Sequence, residues 1–180
     1  MLNRAAILQQ HREEVANAVT HGTGAVLALL AGAVLLIATA QRGSNTEIVS
    51  VAVFVAALTL LYTFSTLYHA ARKPGRKRVF KILDHCAIFL LIAGSYTPFT
   101  LVALQGTWGW SLFAVIWSLA LLGIVFKLFF TGRFKLLSTS IYVAMGWLAI
   151  VAIVPMVQVL STAVLLWLLA GGLLYTAGTL

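Results

Sequence analysis

Apolar residues fill long stretches of this chain, and polar residues cluster between them. Six apolar segments can be marked: Val15–Ala40, Ile48–His69, Ile82–Leu104, Trp110–Phe130, Leu136–Pro155 and Leu160–Leu180. Each is close to the ~20 residues that cross the hydrocarbon core of a bilayer as a helix. Glycines recur inside them, as in membrane helices that pack closely. Pro98, in "GSYTPFT", falls inside the third segment and is expected to kink it, because proline deletes a backbone donor. The connections are short. No soluble domain, low-complexity linker or internal repeat interrupts the pattern. The predicted fold is all-α, a polytopic transmembrane helix bundle in a single domain over residues 1–180.

The first segment needs separating from a signal peptide. Arg4 and Arg12 precede it, and Ala38-Thr39-Ala40 resembles a cleavage site. However, the apolar run is about 26 residues, long enough to span, and Glu13 and Glu14 are unusual in a signal leader. A retained first helix is the expectation.

Composition agrees with the pattern. The chain is 62% hydrophobic and 9% charged, with mean hydropathy +1.03. A soluble domain carries about 25% charged residues, so too little charge remains here to cover a water-facing surface. The net charge of +8 raises the question of nucleic acid, and its distribution answers it. Basic residues sit between apolar segments, as topology signals do. Arg72, Lys73, Arg76, Lys77, Arg78 and Lys81 follow the second segment, Lys127, Arg133 and Lys135 close the fourth, and Arg4 and Arg12 lie in the leader. The opposite side has only Arg42, balanced by Glu47. The positive-inside rule places the rich side, and with it the N-terminus, in the cytoplasm. Trp108 and Trp110 then fall at the outer interface. The implied partners are membrane lipids, not nucleic acid. Cys86 is the one cysteine, so no intrachain disulfide forms.

The candidate chemistry lies on the basic side. His69 ends the second segment and Asp84 begins the third, so the two share a depth. Ser65 and His69 are i and i+4 on one helix face, which Tyr62 extends inward. Ser95, eleven residues after Asp84 and roughly three turns on, is expected on the Asp84 face. Glu14, Asn17 and His21 fall on one face of the first helix and can join the same polar cavity. Histidine is the commonest metal ligand, and aspartate can ligate a metal or orient its bound water. The residues also admit a plain reading: interfacial side chains, Asp84 favoured at a helix N-terminus, and a basic run that signals topology and meets anionic lipid. His85 and Cys86 are rotated away from Asp84 by about 100° and 200° and are not expected as ligands. His11 falls in the leader. Lys127 is expected to snorkel to the interface. There is no Gly-rich phosphate loop, no cysteine pair and no nucleophile elbow. Ser65, His69 and Asp84 make a poor triad without an oxyanion hole.

Together, "EEVANAVTHGTG", "STLYH" followed by "LDH", and "GSYTPF" resemble the bacterial hemolysin III proteins, which belong with the progestin and adipoQ receptor (PAQR) family. The likeness runs along essentially the whole chain. It implies a seven-helix bundle with a cytoplasmic N-terminus in the bacterial inner membrane, and an intramembrane zinc near the cytoplasmic face. By that resemblance His69 is a zinc ligand, Ser65 its accompanying serine, and Asp84 a residue that engages the metal through water. The family's remaining ligands come from a His-x-x-x-His in a seventh helix, which this sequence does not contain. The resemblance therefore implies six spans of seven, a chain truncated before the seventh, and weak zinc binding or none. Three functions stay open: a zinc-dependent hydrolase of a lipid amide or ester, with Asp84 and Ser65 at the catalytic centre; a pore-forming hemolysin; and a non-catalytic receptor or membrane-homeostasis protein.

Overall fold

The computed structural model describes residues 4–179, and these form helices joined by tight turns. Helix α1 (Arg4–Arg42) has 39 residues. At 1.5 Å per residue it is about 58 Å long, nearly twice the hydrocarbon core. The polar leader with Arg4, His11 and Arg12 is therefore a helical extension of the first span, beyond the apolar stretch that crosses.

Helix α2 (Asn45–Ala70) starts at a capping box. The Ser44 Oγ accepts from the Glu47 N–H at 3.3 Å, and the Glu47 carboxylate accepts from the Ser44 N–H at 2.6 Å. Two donors that a helix start leaves without partners are thereby satisfied. Helix α3 (Pro74–Pro98) opens on a proline, where the missing N–H costs nothing.

Pro98 acts where the sequence placed its effect. The α-helical hydrogen bonding of α3 stops there and gives way to a π-helical turn over Phe99–Leu104, with the Gln105 N–H reaching the Thr100 carbonyl at 3.2 Å. A proline cannot donate to the preceding turn, and a change of helical period takes up the gap. Thr97 and Thr100 return their hydroxyls to the Ala93 and Tyr96 carbonyls at 2.9 and 3.0 Å. A turn with positive φ at Gln105 and Gly106 leads into α4 (Gly106–Phe130).

The fifth span is broken, where the sequence suggested one continuous segment. It consists of α5 (Lys135–Gly146), a 3₁₀ stretch (Leu148–Ala152) and α6 (Ile153–Val159). The Tyr96 hydroxyl bridges the break. It accepts from the Ala149 N–H at 2.8 Å and lies 3.0 and 2.8 Å from the Met145 and Gly146 carbonyls, to one of which it donates. Backbone groups freed by a break inside a bilayer must find partners within the protein, and Tyr96 is that partner here. Helix α7 (Thr162–Ala177) has 16 residues. It is apolar but, at about 24 Å, shorter than the five stretches among the described residues that are long enough to cross. The Trp147 indole N–H donates to Thr176 Oγ1 at 2.9 Å and ties it to the fifth span.

Neighbouring spans α1 and α2, α2 and α3, and α3 and α4 pack against one another. The core joins α3, α4 and the fifth span around Phe89, Ile116 and Met145. Gly123 is what admits the Phe89 ring, because a Cβ there would overlap it. Large apolar residues on the outer faces, such as Leu30, Leu122 and Leu174, are exposed, as lipid-facing residues are.

Candidate functional site

The ends of α1, α2 and α3 meet at the basic end of the bundle. Glu14 is the hub. Its Oε2 lies 2.9 Å from His69 Nδ1 and 2.8 Å from Lys77 Nζ. With an ammonium at 2.8 Å the carboxylate is ionised and acts only as an acceptor, so His69 Nδ1 donates. In the neutral ring, the Nδ1–H tautomer leaves Nε2 carrying a lone pair. His69 and Glu14 are 17% and 24% exposed at the side chain, so the pair is partly shielded from solvent yet reachable.

Aromatic rings fix the histidine. His21 stacks on His69 with ring centroids 5.7 Å apart and planes 6° from parallel. Tyr62 tilts against His21 at 6.0 Å, and Tyr68 against His69 at 4.7 Å. Lys77 caps the Tyr68 ring at 5.0 Å. Gly24 makes room for Tyr62: a Cβ at that position would come within 2.7 Å of the ring. Ser65, one turn before His69, is buried.

Of the residues named from the sequence, Glu14, His21, Tyr62 and His69 lie against one another. Asn17 is exposed. Asp84 has Oδ2 3.4 Å from His85 Nδ1, and its charge also reaches His21 and Tyr68. Ser95 donates to the Ile92 carbonyl at 2.8 Å and lines a separate internal cavity instead of extending the cluster. The expected snorkelling of Lys127 is overturned. It is 2% exposed and donates to Ser138 Oγ at 2.7 Å. The hydroxyl offered by α5 across a short turn holds the amine inward. Nothing in the sequence singles out Tyr68 or Lys77: Lys77 is one of six basic residues between the second and third segments, and only its contact with Glu14 distinguishes it.

Zinc requires three or four donors converging at about 2.0–2.2 Å. Here His69 gives Nδ1 to Glu14, His21 lies parallel over the His69 ring, and Asp84 faces His85. Among the described residues no group of three histidine, cysteine, aspartate or glutamate side chains is arranged to hold a metal ion. As placed, these residues do not make a zinc centre.

The comparisons with known proteins agree with one another. A family profile described as "Haemolysin-III related" matches residues 9–180. The chain is 48% identical over 169 residues to "Hemolysin-3" of Bacillus cereus, covering 94% of this chain and 77% of that protein. It is 49% identical over 169 residues to "Hemolysin-3 homolog" of Bacillus subtilis (strain 168), covering 94% and 79%. No solved structure matches. A multi-pass helical chain whose match to this profile runs from α1 to its end belongs to the haemolysin-III-related family.

Proposed function

We propose that the protein is a hydrolase of a lipid amide or ester in the bacterial plasma membrane, with its N-terminus and the Glu14–His69 pair on the cytoplasmic side. The observation that carries the reading is the 2.9 Å contact between Glu14 Oε2 and His69 Nδ1. It orients the ring and leaves Nε2 as the base. His69 Nε2 takes a proton from water, and the water oxygen attacks the acyl carbon. The leaving amine or alcohol then recovers the proton from His69. Products are a fatty acid and the amine or alcohol. Glu14 stabilises the imidazolium formed between the two transfers. Lys77 keeps Glu14 ionised, and His21 and Tyr68 hold the ring plane. The step uses neither Ser65 nor Asp84. The siting of the pair among membrane helices supports a lipid substrate.

Reconstituted protein given fluorogenic acyl-amide and acyl-ester lipids tests this. Loss of a general base costs about 10²–10⁴-fold, so His69→Ala and His69→Gln are expected to lose rate on that scale. Glu14→Gln is expected to move the acidic limb of the pH–rate profile to lower pH, because the imidazolium loses its neighbouring carboxylate, which a merely structural contact would leave alone. Turnover is expected to survive a zinc chelator. A wild-type protein inert toward both lipid classes, or full turnover in His69→Ala, would sink the proposal.

A further inference from the structure

The bundle also holds a half-open cavity of about 1010 Å³, which neither Glu14 nor His69 lines. Its body is apolar, with Leu58 of α2, Ile88 and Ile92 of α3 and Leu166 of α7 in the wall. Its basic end is different. Lys81 of α3, Lys127 of α4 and Lys135 and Ser138 of α5 all line it. Lys127 is buried with a single oxygen partner, Ser138 Oγ, and its Nζ lies 5.6 Å from the centre of the Tyr142 ring. His85 lines the same cavity, with its Nδ1 3.4 Å from Asp84 Oδ2.

Among the described residues, no carboxylate forms an ion pair with Lys81, Lys127 or Lys135. The four acidic side chains have other partners. Glu13 accepts from Gln9, Glu14 holds His69 and Lys77, Glu47 caps α2, and Asp84 faces His85. A buried ammonium without an anion is costly, and the cost falls away when an anion arrives. The complement of this cavity is therefore a molecule with apolar chains and a negative head.

We propose that the cavity binds one anionic phospholipid, with its phosphate among Lys81, Lys127 and Lys135 and its acyl chains along the apolar wall. Several converging ammonium groups suit a phosphate, whose oxygens accept from more than one donor. The volume, at the top of the 300–1,000 Å³ range of small-ligand sites, suits more than a single chain. Lys127 lies in the last turn of α4 and Lys135 opens α5, with Lys81 two turns into α3, and basic pockets between membrane helices take anionic headgroups from the adjoining leaflet. This binding is independent of the hydrolytic step, because it uses none of Glu14, His69 or Lys77.

Purified protein in zwitterionic detergent is titrated with dioleoyl-phosphatidylglycerol, dioleoyl-phosphatidylcholine and oleate. Melting temperature and the lipid retained in native mass spectrometry are read. Phosphatidylglycerol is expected to raise the melting temperature and to be retained at one per chain, and the other two are not. Lys81→Gln and Lys135→Gln are each expected to weaken it about fivefold, the effect of roughly one lysine near a charged lipid surface. Lys127→Met is expected to raise the melting temperature of the lipid-free protein and to abolish the phosphatidylglycerol shift, a pair of opposite effects that misfolding would not give. The triple variant Arg72→Gln, Arg76→Gln and Arg78→Gln, outside the cavity, is expected to bind as wild type. Equal retention of phosphatidylcholine or oleate overturns the proposal, and so does lipid binding that falls with the loop arginines and not with Lys81 and Lys135.

Discussion

Single side chains in this protein serve two kinds of demand, charge placed near lipid and backbone groups freed by irregular helices. Glu14 answers the first by taking His69 and Lys77 on one oxygen. Both were visible in the sequence as polar residues near helix ends, but not as partners. Tyr96 answers the second. Tyr96→Phe keeps the ring and removes the hydroxyl that the Ala149 N–H and the Met145 and Gly146 carbonyls use. Leaving such buried groups without a partner costs about 1–3 kcal/mol, so a lower melting temperature in detergent is expected. Equal stability of the Phe variant would show that the break is satisfied in another way.

Helices here pack through small residues, and the predictions at this scale concern where they do. Gly123→Leu fills the space of the Phe89 ring between α3 and α4. Overpacking costs about 1–3 kcal/mol, and where helix separation is the alternative the loss is expected at the upper end. Gly171→Leu on α7, where an added side chain meets nothing within 4 Å, is the control and is expected to change the melting temperature little. Ser44→Ala removes one half of the α2 capping box. It is expected to cost about 1 kcal/mol, read as a fall in melting temperature that Ser44→Asp recovers. The long apolar segments made the spans legible. The π turn after Pro98 was foreshadowed by the proline alone. The break at Gly146 was not, because its compensation comes from Tyr96, about 50 residues away in sequence.

For the whole molecule the question is which way the bundle sits. The basic loop between α2 and α3 points to a cytoplasmic N-terminus, and single-cysteine labelling tests it. In a Cys86→Ser background, Thr107→Cys is expected to react with an impermeant maleimide on intact cells and Arg76→Cys only after lysis. Reaction of Arg76→Cys on intact cells would reverse the orientation. Metal content is a second whole-molecule observable. The separate orientations of His21, His69 and Asp84 lead us to expect less than stoichiometric zinc in the purified protein of this sequence, and no change in melting temperature with chelator. One tightly held zinc per chain, lost together with stability, would contradict that expectation and bring His21 and His69 back as ligands.

The sequence by itself determined the environment, the basic end of the bundle and the family; of its six apolar segments, five among the described residues are long enough to cross and the sixth forms the shorter α7. These follow from local composition: about 20 apolar residues in a row cannot be soluble surface, and lysine and arginine gather where chains leave the bilayer. It also assembled Glu14, His21, Ser65 and His69 as candidates, because helical spacing predicts which residues share a face. Partnership was decided only by the tertiary structure. Ser95 and Asp84 fit one face by spacing, yet Ser95 lines the internal cavity and Asp84 meets His85. Lys127 carries the signature of a snorkelling residue, yet it turns inward because Ser138, on the next helix, presents a hydroxyl at 2.7 Å. Spacing gives the direction a side chain leaves its own helix. What it meets depends on the neighbouring helix, and that is settled by packing between segments far apart in sequence.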